Sequence, residues 1–157
     1  MRRGAVLMAC LLMMIFVASL ALAQKKTAEE YFQEGSKYFV QGNIDRAIES
    51  YKEGLKLEPE SAVGYNLLGM AYRAKYNRLG SMIWKEREIQ AFKKAIELNP
   101  LYMPALVNLG TTLYYMGRKR EAAEYFQKAL KVYPDHPQRK LIEKMIKEGL
   151  HEKGKAH

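Results

Sequence analysis

"YFQEGSKYFVQGNIDRAIESYKEGLKLEP" (residues 31–59) and "LVNLGTTLYYMGRKREAAEYFQKALKVYP" (residues 106–134) have the same length and carry glycine, aromatic and proline residues at matching places. Gly35, Gly69 and Gly110 are 34 and then 41 residues apart. Pro59, Pro100 and Pro134, like Tyr51, Phe92 and Phe126, are 41 and then 34 apart. The chain therefore repeats a unit of 34 residues, with seven extra residues between Gly69 and Phe92 of the middle copy. A period of this length predicts stacked supersecondary units, each burying its apolar face against the next. Seven residues are about two α-helical turns, so the insertion lengthens helices without turning their buried faces far.

Each unit reads as two helices. Tyr31, Gly35 and Tyr38 recur at helical spacing, as do Ala47, Tyr51 and Gly54. Thr27 to Glu30 is a capping box. Gly42 and Gly117 mark tight turns, and the three prolines fall just past second-helix ends. In the insertion, a turn is expected at Asn77-Arg78-Leu79-Gly80, with Ser81 capping the helix that follows. Met82, Ile89, Phe92 and Ile96 form one stripe of that helix, with Trp84 beside it next to Glu88, Ala91 and Ala95. After Pro134, "DHPQRKLIEKMIKEGL" reads as a seventh helix, capped by Asp135, with Leu141, Ile142, Met145, Ile146 and Leu150 as its apolar stripe. The expected fold is all-α: an α-solenoid of three helix-turn-helix repeats plus a C-terminal capping helix.

These units resemble tetratricopeptide repeats. The resemblance rests on Tyr65, Leu68-Gly69, Tyr72, Phe92, Ala95 and Pro100 in the second unit. Tyr31, Gly35, Tyr38, Ala47, Tyr51 and Pro59 carry it in the first, and Leu106, Leu109-Gly110, Ala122, Phe126, Ala129 and Pro134 in the third. Glu34, Leu113 and Glu88 depart from the pattern, and Glu88 occupies a place where a small residue lets the paired helices approach. On this reading residues 28–61, 62–102 and 103–136 are the three repeats, 24–27 a short lead, 137–150 the capping helix and 151–157 a basic tail. The resemblance implies a groove lined by the first helices, at Phe32, Ser36 and Phe39, then Asn66, Met70 and Arg73, then Val107, Thr111 and Tyr114. Such a lining suits a peptide or amphipathic helix of a protein partner. The carboxylate-clamp subgroup is not matched, because Phe32 and Leu67 stand where its polar residues would be, although Asn108 agrees with one of them. Members of the family serve secretion, pilus assembly and cytochrome maturation, and nothing in the residues chooses among these.

Residues 1–23 read as a signal peptide: Arg2 and Arg3, an apolar run over residues 5–22, then Ala21-Leu22-Ala23, placing cleavage before Gln24. The expected location is periplasmic, and the alternative retains residues 5–22 as an inner-membrane anchor. Leu7-Met8-Ala9-Cys10 resembles a lipobox, but the apolar run follows the cysteine, so Cys10 reads as a small hydrophobe of the leader. The formal charge of +9 is uneven. Residues 24–61 hold six basic and eight acidic side chains, while residues 62–157 hold eighteen and nine. With an export signal, this favours acidic proteins or an anionic membrane surface over nucleic acid.

No chemistry stands out. His136, His151 and His157 show no metal-ligand spacing, and Asp45 and Asp135 sit at helix starts. No glycine-rich loop follows a strand. No enzyme activity, cofactor or small-molecule substrate is therefore expected. The reading is a non-catalytic scaffold or adaptor in the cell envelope. The alternative is a membrane-tethered structural subunit docking through a basic surface of Lys85, Arg87, Lys93, Lys94 and the turn Gly117–Glu121. Met82, Ile83 and Trp84 form a candidate interface ridge, against the plainer reading that Trp84 covers the ends of adjacent helices.

Overall fold

The computed structural model describes residues 26–151, which form seven helices and, among the described residues, no strand. They are α1 (Ala28–Val40), α2 (Ile44–Leu57), α3 (Ala62–Leu79), α4 (Met82–Leu98), α5 (Met103–Tyr115), α6 (Lys119–Val132) and α7 (Arg139–His151). The helices pair as α1/α2, α3/α4 and α5/α6, each pair packs on the next, and α7 lies on α6. The expected leader, its cleavage site and residues 152–157 lie outside the described residues.

Local chemistry sets the helix ends. The Thr27 amide donates to Glu30 Oε2 at 2.7 Å and the Glu30 amide donates to Thr27 Oγ1 at 3.2 Å, a complete capping box. Asn43 and Ser61 accept from the amides of Arg46 and Gly64 at the starts of α2 and α3. The insertion is absorbed as helix: α3 and α4 run to 18 and 17 residues, against 13 or 14 elsewhere. The turn between them is shorter than expected, because α3 continues through Leu79 and Gly80 alone reverses the chain at φ 68°. That left-handed conformation strains any residue with a Cβ. Ser81 takes the N-cap position of α4, but its side chain makes no capping bond.

One contact closes all three pairs. Tyr51, Phe92 and Phe126, each at most 2% exposed, lie flat against Gly35, Gly69 and Gly110. A Cβ on these glycines would stand 2.5, 2.6 and 2.8 Å from the rings, far inside contact distance. The repeated glycines and aromatics of the sequence are thus the two halves of one packing device. Around it the core forms two clusters. One is centred on Phe32, Tyr51 and Tyr72 and the other on Phe92, Leu109 and Phe126.

The capping helix starts later than the sequence suggests. Asp135 does not cap it; the His136 ring Nδ1 accepts the Gln138 amide at 3.1 Å and the His136 carbonyl accepts the Arg139 amide at 2.8 Å. Pro137 disfavours helical backbone at His136 before it, and the helix begins at Arg139. Of the expected stripe, Ile142 and Met145 are buried and Ile146 is half-buried, whereas Leu141 and Leu150 face solvent. The Tyr114 hydroxyl donates to Glu148 of α7, which holds that carboxyl below its ordinary range. A depressed carboxylate stabilises above its unfolded pKa, so this tie is lost as pH falls through the lowered value.

Gly149 sets how closely α7 approaches. A Cβ there would lie 2.3 Å from the Lys119 carbonyl oxygen and 3.0 Å from Ala123 Cβ. Gly149→Ala is expected to push α7 off α6 at a cost of about 1–3 kcal/mol. Amide exchange checks this: protons of residues 139–151 should speed up while those of α1 and α2 stay protected.

Candidate functional site

Glu88 replaces the small residue found at Ala47 and Ala122 in the other pairs, and it is fully buried. A buried carboxylate is tolerated only if it is paired and hydrogen-bonded. Arg73 of α3 donates from Nε to Glu88 Oε1 at 2.7 Å, and Lys85 donates from Nζ to Oε2 at 2.7 Å. The Thr112 hydroxyl donates to Oε1 at 2.5 Å. The Arg73 guanidinium continues into α5, donating to Asn108 Oδ1 at 3.0 Å, the Asn108 carbonyl at 2.8 Å and Thr112 Oγ1 at 2.9 Å. The Asn108 side-chain amide then donates to Asn66 Oδ1 at 3.0 Å, closing a bridge from the second repeat to the third. Among the described residues, no buried side-chain polar atom lacks a partner.

Beside this network a cleft of about 370 Å³ opens between α3 and α5, lined by Arg73, Tyr76, Lys85, Thr111, Thr112 and Tyr115 among others. Lys85 lies over the Tyr76 ring at 4.0 Å and Arg73 over Phe92 at 5.0 Å. Two cations against one carboxylate leave a net positive charge at the cleft floor. Only one of the three Lys85 ammonium hydrogens is taken by Glu88. The arrangement suits a group rich in hydrogen-bond acceptors, such as peptide carbonyls or a carboxylate.

The structure redistributes the residues expected to line the groove. Phe32 and Asn66 are 4% and 5% exposed and belong to the core, not to a lining. The Phe32 ring fills the space left by Gly54 and Gly64, whose Cβ atoms would stand 2.5 and 2.6 Å from it. Ser36 and Thr111 donate to the Phe32 and Val107 carbonyls one turn back. Tyr114 is engaged with the capping helix through Glu148. Phe39, Met70 and Val107 are half-buried apolar residues on the three first helices, with Arg73 at the cleft. Lys85, Asn108 and Thr112 complete the site: the sequence reading placed Lys85 on an exposed basic surface, noted Asn108 only for its agreement with a clamp asparagine, and did not single out Thr112.

The candidate ridge also divides. Met82 and Ile83 are 59% and 61% exposed. Trp84 instead packs half-buried on the first core cluster, 5.7 Å from Tyr72, with Lys75 and Arg87 over its ring at 4.1 and 4.7 Å. It covers the end of the first core. The expected basic surface loses Lys85 to burial, and Arg118 pairs with Glu121 at 2.6 Å.

Among the described residues no group of His, Cys, Asp and Glu is arranged to hold a metal. No helix among them is long and apolar enough to cross a membrane.

A family model described as tetratricopeptide repeat matches residues 104–136, and one described as TPR repeat matches residues 35–75. The chain is 28% identical over 146 residues to human Protein IFIT1 homolog B, covering 83% of this chain and 29% of that protein. It thus spans less than a third of that relative's length. It is 27% identical over 131 residues to the Photosystem I assembly protein Ycf3 of Acaryochloris marina, covering 72% of this chain and 74% of that one. Among solved structures, it resembles the second TPR domain of the human RPAP3 protein in complex with the HSP70 peptide SGPTIEEVD. The TM-score is 0.65 at 26% identity, over 76% of this chain and 94% of that one.

Proposed function

We propose, for a chain that carries tetratricopeptide repeats, a non-catalytic role as a protein-interaction scaffold holding an extended or helical segment of a partner along α1, α3 and α5. The observation that carries this reading is the cleft between α3 and α5. There Arg73 and Lys85, fixed by Glu88, present positive charge in a recess on the same helices as the half-buried Met70 and Val107. The partner's side chains cover the apolar positions while its carbonyl or carboxylate oxygens meet the cations. The RPAP3 domain supports the reading, since a similar fold is described there with a bound peptide.

The place of action we propose is the cell envelope, on the strength of the sequence of residues 1–23. A mature protein beginning at Gln24 by mass spectrometry supports export and cleavage. Retention of residues 1–23 in the membrane fraction instead favours the tethered subunit that docks through its basic surface.

Affinity capture from an envelope extract tests the groove. Met70→Gln with Val107→Gln removes apolar surface with good helix formers and is expected to keep the circular dichroism of the wild type. Capture of the partner should fall about tenfold or more, the loss expected when central apolar contacts are removed. Equal capture by the variant and the wild type removes the groove reading.

A further inference from the structure

We infer that the opposite side of the molecule, formed by α2, α3 and α4, is a second docking groove that takes an acidic amphipathic helix of another protein. A cavity of about 700 Å³ lies there, within the ~300–1,000 Å³ range of binding clefts. Tyr65, Leu68 and Tyr72 of α3 form its floor, and Ile83 and Ala91 of α4 its apolar wall. α2 and α4 each pack on α3 and scarcely on each other, which leaves the trough between them. Along α4 the lining residues Ile83, Arg87, Gln90, Ala91 and Lys94 share one face and span about 16 Å at 1.5 Å per residue, three turns of an occupant helix.

Charge and depth select the occupant. Lys52, Arg87 and Lys94 rim the trough, and Glu86 is the one carboxylate among the lining residues. Lys94 also pairs with Glu97 at 2.7 Å and Arg87 lies over Trp84, so the rim carries an excess of positive charge that an acidic partner shares. Leu68 and Tyr72 are each only 6% exposed, beneath that rim, so a flat lipid surface does not reach them whereas an inserted side chain does. An apolar stripe flanked by Asp or Glu satisfies both features, and a basic helix satisfies only the second. The groove also belongs to the lengthened hairpin: Ile83, Glu86 and Arg87 come from the first turns of α4, where the middle repeat exceeds its neighbours.

The probe is a fluorescein-labelled peptide of about 15 residues, with Leu on one helical face and Glu on the other, compared with its Lys-for-Glu counterpart. Fluorescence anisotropy with the mature chain is expected to show saturable binding of the acidic peptide only. Lys52→Glu with Lys94→Glu, and separately Ile83→Asp, should each weaken it about tenfold or more. Lys52 and Ile83 are exposed and Lys94 is half-exposed, so helicity stays unchanged. Met70→Gln with Val107→Gln should leave it intact, which separates this groove from the α1, α3 and α5 side. Failure of the acidic peptide to bind, equal binding of the basic peptide or equal binding by the charge-reversed variant would overturn the inference. So would loss of binding in the Met70→Gln, Val107→Gln variant, or capture by phosphatidylglycerol vesicles that depends on Lys52 and Lys94.

Discussion

Glu88→Ala is expected to lower the free energy of unfolding by about 3–5 kcal/mol, the cost of removing one partner from a buried ion pair. For a domain of this size, that corresponds to a fall in melting temperature of about 10 °C or more. The carboxylate is wholly buried and takes hydrogen bonds from Arg73, Lys85 and Thr112. Without it, Lys85 keeps its charge at 11% side-chain exposure with no counter-ion at its ammonium, and Arg73 keeps only neutral partners. Glu88→Gln retains the volume but turns an amide donor toward donors, so an intermediate loss of about 1–3 kcal/mol is expected. The triple variant Glu88→Ala, Arg73→Leu, Lys85→Met should regain most of the stability, because a buried ionic group exchanged as a unit for apolar residues is close to neutral. Urea unfolding followed by circular dichroism reads all three. A loss below about 1 kcal/mol for Glu88→Ala would show that the network does not hold the helices together.

Phe92→Ala should cost a similar amount, about 3–5 kcal/mol, by emptying the centre of the second core cluster. Its more telling consequence lies at Gly69. In the wild type, Gly69→Ala drives a Cβ to within 2.6 Å of the Phe92 ring, an overpacking expected to cost about 1–3 kcal/mol. In the Phe92→Ala background the ring is gone, and the same substitution gains about 1 kcal/mol of helix propensity instead. The sign of one substitution therefore reverses with the residue opposite. Phe92→Ala and Glu88→Ala should also fail to add, since the Arg73 guanidinium touches both side chains. Additivity within about 0.5 kcal/mol would separate the ring from the network.

The fold was legible because its signals are local or periodic. Glycine, aromatic and proline residues recur with the unit, and a capping box marks the start. Tertiary contacts decided the rest. Phe32 has the spacing of a groove residue, but Gly54 and Gly64 leave it a hole in the core, a signal visible only once those helices are set against each other. Glu88 was recognisable as out of place, yet its partners lie on three elements. Arg73 is fifteen residues away and Thr112 twenty-four. The start of α7 was misplaced because Asp135 is a good cap by type, whereas the chain turns at His136, whose ring and carbonyl accept the Gln138 and Arg139 amides, before the helix begins at Arg139. Trp84 lay at a stripe edge in the sequence, and the structure uses it there, roofing the first core between Lys75 and Arg87.

Repeat arrays grow and shrink by duplication and loss of whole units, and the glycine-and-ring contact common to all three pairs would by itself let any unit follow any other. The bridge from Arg73 to Asn108 and Thr112 works against that. At the equivalent places in the second repeat stand Leu67 and Ala71, which offer the guanidinium no side-chain acceptor. Placed ahead of a copy of itself, the middle unit would keep its Arg73–Glu88 pair but lose the side-chain acceptors of the guanidinium across the junction and the Thr112 hydroxyl on Glu88. One carboxylate buried where the other units carry alanine thus writes the order of the units into their stability.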